Sequence, residues 1–289
     1  MFNIIEKRAI FFIISAVVII AGIAGFVING GFNADIDFTG GTEIYVNLGI
    51  EFDEMAIRKS LEGVDGVSIS SVQKAEDTTA IIKTTELNMD QKVAAQDAIK
   101  KAFEKAEILS VDNVSASIGK DLWNNAAMSI LIASVLMLVY ITFRFELLTG
   151  ISAVLALIHD MLVMLSVYAI FQIPVNTSFI AAILTILGYS INATIVVFDR
   201  IRENTRFSRK ETFVEIANKS IWQTLARSIN TSITTLITLI CLYILGVPSI
   251  KEFAFPLIVG VVCGCYSSVF LASQFWVLLK GKKATTVAK

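Results

Sequence analysis

The sole histidine of this 289-residue chain, His159, is followed directly by Asp160 in the apolar stretch "ALIHDMLV". An imidazole beside a carboxylate is a pair that can hold and hand on a proton. An ionised carboxylate at the centre of a membrane helix costs about 2.5–3.5 kcal/mol on insertion scales, so the pair needs a partner or a water-filled path. A second stretch, "LTILGYSINATIVVFDRIREN" (184–204), carries Gly188, Tyr189, Ser190, Asn192 and Thr194 inside an apolar run, and ends in charge at Asp199 and Arg200. Ala193 sits among these polar groups and can neither titrate nor bind a cation. A third stretch, "LARSINTSITTLITL", places Arg227, Asn230, Thr231, Thr234 and Thr235 at the start of another apolar run. His159, Asp160, Asn192, Thr194 and Arg227 are therefore candidates for an ion pathway. The structural alternative is a hydrogen-bonded pair that locks helix packing, with Arg227 snorkelling to the membrane boundary.

These residues need membrane helices to position them. The chain is 55% hydrophobic, with mean hydropathy +0.71, more apolar than a soluble domain of this length. Runs long enough to cross a bilayer, about 20 residues each, fall at 9–28, 124–143, 149–171, 176–198, 229–247 and 253–279. The first is too long for a signal peptide's apolar core of about 7–15 residues and reads as an uncleaved span. Cys241, Cys263 and Cys265 all lie within spans and read as packing residues rather than a metal site. Lys7, Arg8, Arg144, Arg200, Arg202, Arg206, Arg209, Lys210, Lys280, Lys282 and Lys283 all fall on one side if six helices alternate. Positive charge marks the cytoplasmic side, so both termini are expected there.

The segment between spans one and two holds 17 Asp/Glu against 9 Lys/Arg and is expected outside. It reads as a strand (42–48), a helix opened by Asp53 (53–63), a strand pair (67–74, 79–85), a helix with Val93, Ile99 and Phe103 on its apolar stripe (90–107), and a closing strand (113–118). The order βαββαβ is a ferredoxin-like unit. It carries no nucleophile motif or His cluster and reads as a docking module. On the other side, 208–225 has Ser208 and Glu211 at capping-box spacing, and Phe213, Ile216, Ile221, Trp222 and Leu225 on one face. That pattern fits an amphipathic helix lying in the membrane interface. The expected fold is thus a polytopic α-helical membrane protein, six transmembrane helices with a small α+β ferredoxin-like extracytoplasmic domain between helices 1 and 2. Its parts are 1–29, 30–121, 122–280 and a basic tail, 281–289.

"IDFTGGT" (36–42), "ALIHD", "GYSIN.TIVVFDRIREN", "QTLARSINTSITTL" and "SIKEFAFPLIVGVVCGCYSS" occur in this order over nearly the whole chain. The chain so resembles the SecF members of the SecD/SecF family, membrane subunits of bacterial protein export within the RND-type transporter superfamily. The family motifs fall on Asp37, Gly40, Gly41, Gly188, Asp199 and Arg200. The resemblance implies a bacterial inner-membrane protein, half of an RND-type bundle, that pairs with SecD. It would act beside the SecYEG channel and use the ion-motive force to draw preproteins across, with YajC and YidC as further candidate partners. It implies no cofactor, no metal, no nucleic acid and no enzyme activity. The family's span four usually reads G-Y-S-x-N-D-T, its Asp carrying protons; here Ala193 takes that place. The family's span-five arginine maps to Arg227, which then lacks that carboxylate. Asp199 or a partner-chain Asp would have to serve.

Two rivals follow. One is a packing and docking translocase subunit without ion coupling, which Ala193 favours. The other is a small-molecule exporter of the same superfamily, against which the single small outside domain counts.

Overall fold

A computed structural model describes residues 3–208 and 211–280. Arg209, Lys210 and the basic tail 281–289 lie outside the described residues. Helix α1 (Arg8–Ile28) is a membrane-length apolar helix. A four-residue turn, α2 (Ile36–Thr39), follows, capped by the Asp35 side chain. Gly40 then adopts φ +77°, and a Cβ there would stand 2.7 Å from the Ala116 amide nitrogen. The "TGG" motif is thus a tight passage from α1 into the sheet.

The sheet unit runs β1 (Gly41–Asn47), α3 (Glu54–Leu61), β2 (Ile69–Glu76), β3 (Thr79–Thr84), α4 (Met89–Ala102) and β4 (Glu107–Val114). All its pairings are antiparallel, in the order β2-β3-β1-β4. Ile44, Val46, Ile57, Leu61, Ile82 and Ile99 form its core. Two expectations shift. Helix α4 is capped at Asn88 through a capping box with Gln91 and ends by Phe103. Its buried face runs through Ala95 and Ile99, and Val93, expected on the stripe, is 53% exposed. The closing strand lies at 107–114 rather than 113–118, because Ser115 accepts the Ser117 amide and caps the next helix.

That helix is α5 (Ala116–Arg144), followed by α6 (Leu147–Phe171), α7 (Thr177–Phe207) and α8 (Phe213–Leu245). The sixth apolar stretch is two helices, α9 (Pro248–Phe270) and α10 (Ala272–Lys280), separated at Leu271. With α1, these give six stretches long and apolar enough to cross a membrane. The expected interfacial helix does not exist separately. Residues 213–245 form one 33-residue helix, begun by a capping box between Thr212 and Glu215. Ser208 instead donates to Glu211 across the turn. Phe213, Ile216 and Ile221 turn inward against Trp276 and Phe198, so the apolar face meets the protein rather than lipid.

The bundle core is layered. One apolar layer holds Leu157, Met164, Ile183, Ile186, Leu257 and Val261. The other holds Ala153, Val197, Phe198, Ile221, Val269 and Trp276. Between them along α7 and α9 lie the buried polar residues Ser190, Thr194 and Ser267, and on α6 His159 and Asp160 lie between Leu157 and Met164. Lipid tails are as apolar as leucine, so the apolar layers gain only packing in a bilayer. The polar layer has no equivalent partner in lipid and holds the helices in register.

Candidate functional site

Asp160 is 1% exposed and its carboxylate collects donors from three directions. Ser190 Oγ on α7 donates to Oδ2 at 2.6 Å, and Ser267 Oγ on α9 donates to the same oxygen at 2.8 Å. His159 Nδ1 lies 3.1 Å from Oδ1. The other ring nitrogen, Nε2, lies 2.9 Å from Ser15 Oγ on α1. With an ionised carboxylate and a neutral imidazole, Nδ1–H donates to Asp160 and Nε2 accepts from Ser15. Tyr266 ties α9 to α1 nearby, its hydroxyl donating to the Phe11 carbonyl at 2.8 Å.

The close crossing of α7 and α9 makes this possible. A side chain on Gly260 would overlap Ile186, and a Cβ on Gly264 would come within 3.1 Å of Ser190 Cβ. The sequence Ser15–His159–Asp160 has the order of a hydrolase triad. Ser15, however, sits inside α1, where backbone amides are used in helical hydrogen bonds. The line of hydroxyl, imidazole and carboxylate is made of groups that can each hold or pass on a proton.

Thr194, one turn beyond Ser190, is buried on the same face of α7. Asn192 is exposed and Ala193 half-buried on another face. A groove of about 100 Å³ lies between α7 and α8, lined by Tyr189, Asn192, Ala193, Val196, Arg227 and Thr231. Tyr189 Oη donates toward Ser232 and Thr235 at 3.4 and 3.5 Å. Val196 and Arg227 also line a cavity of about 710 Å³ that reaches Asp199 and Arg200 at the end of α7. Arg200 is bound to Gln223 and Glu203, and Arg227 has no ion-pair partner within 4.0 Å among the described residues. The candidates thus divide. His159 and Asp160 join Ser190, while Asn192, Ala193 and Arg227 line an open groove. Gly188 faces space, with nothing within 4 Å of where a Cβ would stand.

Asp37 accepts from the Thr177 amide at 2.9 Å and from its hydroxyl at 2.7 Å, fastening the segment after α1 to the start of α7. Beside it lies a cluster that sequence reasoning missed. Lys83 on β3 reaches Asp35 at 2.6 Å and Glu252 on α9 at 3.8 Å. Glu252 also accepts from Gln73 on β2 at 2.8 Å and from Asn176 at 2.6 Å. Burial opposes the Lys83 charge, but Asp35, Glu252 and Glu43 outweigh it and raise its pKa above the ordinary value. Burial raises the pKa of Glu43, against the pull of Lys83. This cluster joins the sheet to the bundle.

Ser15 and Ser267 were also missed. Ser15 is the one hydroxyl between Ala9 and Ile28, a signal available in the sequence. Lys83 gives no such signal, because its partners come from stretches far along the chain.

Residues 94–282 match the model of a family described as protein export membrane protein SecD/SecF, C-terminal. The chain is 38% identical over 283 residues to the protein translocase subunit SecF of Sebaldella termitidis, covering 96% of this chain and 92% of that one. It is 34% identical over 279 residues to the protein translocase subunit SecDF of Thermus thermophilus, spanning 94% of this chain but 38% of that longer protein. The crystal structure of SecDF, a translocon-associated membrane protein from the same organism, superposes with a TM-score of 0.85 at 32% identity. It covers 97% of this chain and 39% of that chain. A SecDF structure in a super-membrane-facing form gives a TM-score of 0.72.

Proposed function

The chain belongs to the SecD/SecF family of protein-export membrane proteins, and from that premise we propose that it is the SecF-type subunit of a bacterial translocase. Its partner is SecD. Together they use the ion-motive force to help draw preproteins from the SecYEG channel, in the inner membrane, with both termini cytoplasmic and the sheet unit outside. The βαββαβ order and the strand order β2-β3-β1-β4 support a ferredoxin-like reading of that unit.

One observation carries the partnership. Asn192, Arg227, Asn230, Thr231 and Thr234 are exposed on α7 and α8, helices of membrane length. Polar groups facing lipid at that depth are costly, so a second helical bundle covers this face. The length of the fused SecDF relatives, more than twice the matched part, supports a partner of comparable size. Ala193 cannot supply a counter-charge to Arg227, so the partner supplies that carboxylate. Within this chain, Ser15, His159 and Asp160 form the proton-exchanging line, and Ser190 and Ser267 link its state to the packing of α7 on α9.

A docking subunit without coupling of its own is the second reading, favoured by Ala193 and by the fully hydrogen-bonded state of Asp160. The association is tested with Asn192→Cys. It is expected to form a cross-link with a cysteine scanned along the mid-membrane helices of SecD when the two are co-expressed. A chain that purifies alone, with Asn192→Cys open to lipid-soluble thiol reagents in the presence of SecD, refutes the partnership.

A further inference from the structure

At the end of the bundle remote from the sheet, α6, α7, α8 and α10 enclose a cavity of about 230 Å³. Three cations line it: Arg202, Arg206 and Lys280. Thr149 and Trp276 also line it, and they are 1% and 4% exposed. Thr149 Oγ1 and Trp276 Nε1 are both buried with no hydrogen-bond partner. A buried donor left unsatisfied costs about 1–3 kcal/mol, and both belong to residues of the cavity wall, so an acceptor bound there relieves them. Thr149 stands in the first turn of α6, whose N-cap Glu146 makes no side-chain cap. The first amides of that helix therefore remain open, and a helix N-terminus favours an anion. Glu146 lines the cavity too, but Lys280 approaches its carboxylate at 3.8 Å.

Donors, cations and an open helix end together match a phosphate group. Two features choose between a lipid and a free phosphate. Phe145, Phe213 and Trp276 give the cavity an aromatic wall, against which the apolar carbons of a lipid can pack and a free phosphate cannot. Arg202 and Arg206 also line the adjoining cavity of about 710 Å³, where Ile195 and Val196 add apolar surface. Basic pockets between membrane helices are sites for anionic headgroups. We infer that this cavity binds the phosphate of an anionic phospholipid, with Arg202, Arg206 and Lys280 as counter-charges and Thr149 and Trp276 as donors.

The test is a lipid titration of the purified full-length chain by native mass spectrometry, with phosphatidylglycerol and phosphatidylcholine. Phosphatidylglycerol is expected to bind about tenfold or more tightly than phosphatidylcholine, because both carry the phosphodiester but choline adds a positive charge beside Arg202, Arg206 and Lys280. Thr149→Val and Arg206→Gln are each expected to weaken it by about tenfold. Lys219→Gln, which removes a cation paired with Glu211 elsewhere on α8, is expected to leave it unchanged. Without lipid, Thr149→Val is expected to melt no lower than the parent, because it removes an unpaired buried hydroxyl. Equal binding of the two lipids overturns the inference, as does equal weakening by Lys219→Gln. Displacement of the lipid by millimolar inorganic phosphate overturns the lipid as the source.

Discussion

Replacing Lys83 by Met isolates the joint between sheet and bundle. The Lys83 and Asp35 side chains are 7% and 4% exposed and meet at 2.6 Å. Met fills much of the lysine stem's volume and removes the ammonium. Asp35 then keeps the Ile36 amide, at 2.8 Å, but has lost its cation. Removing one partner of a buried ion pair costs about 3–5 kcal/mol, because the other charge stays buried. The second carboxylate, Glu252, keeps Gln73 and Asn176, which places the expected loss toward the lower figure. Lys83→Met/Asp35→Asn removes both charges and is expected to recover most of it, since a buried pair replaced by neutral groups is often close to neutral. The assay is native-state hydrogen exchange of the amides of β3 and of the first turns of α9, in the parent, both single variants and the double. The expected result is a selective loss of protection at these two elements in each single variant, with the double close to the parent. A loss below about 1 kcal/mol in Lys83→Met, the worth of an exposed pair, refutes the reasoning. So does a double variant as weak as the sum of the singles.

The same joint has a pH signature. The folded-state pKa of Lys83 is raised above 10.5, so its contribution is complete below that value and is lost as pH rises through the folded pKa. Hydrogen exchange corrected for intrinsic rates is expected to show the β3–α9 contact loosening only in that alkaline window; loosening near neutrality contradicts it. Gly264→Val is expected to destabilise the bundle by about 1–3 kcal/mol through overpacking against Ser190, read as a lower melting temperature, and an unchanged melt refutes the close crossing. Ser267→Ala is expected to cost less than Asp160→Ala, because Ser190 and His159 still serve the carboxylate. Equal losses refute the shared hydrogen-bond network.

Much of the architecture could be read from the chain. Hydropathy located all six spans, because crossing a bilayer demands long apolar runs and nothing local competes with that demand. The ends were harder. Helix α5 begins at Ala116, ahead of its apolar run, because Ser115 caps it. Residues 213–225 have the face of an interfacial helix, and only Trp276 and Phe198, distant in sequence, turn that face inward. In the site, the depth of His159 and Asp160 was legible as two ionisable groups in an apolar run. Their partners were not, since Ser15, Ser190 and Ser267 are small residues whose role appears only when three other helices meet α6. The separation of Asp160 from Asn192 and Arg227 was equally hidden, because it depends on which face of α7 packs inward.

In the proposed role this chain, with SecD, couples an ion gradient to preprotein movement. Its most direct measurement is preprotein movement in vesicles holding this chain, SecD and SecYEG, after ATP is withdrawn, with and without the gradient, at matched protein levels. The gradient is expected to stimulate movement, Ala193→Asp to increase the stimulation by giving Arg227 a carboxylate within the chain, and Asp160→Asn to reduce it. Gradient stimulation unchanged by both Ala193→Asp and Asp160→Asn contradicts this role and leaves the chain a docking subunit.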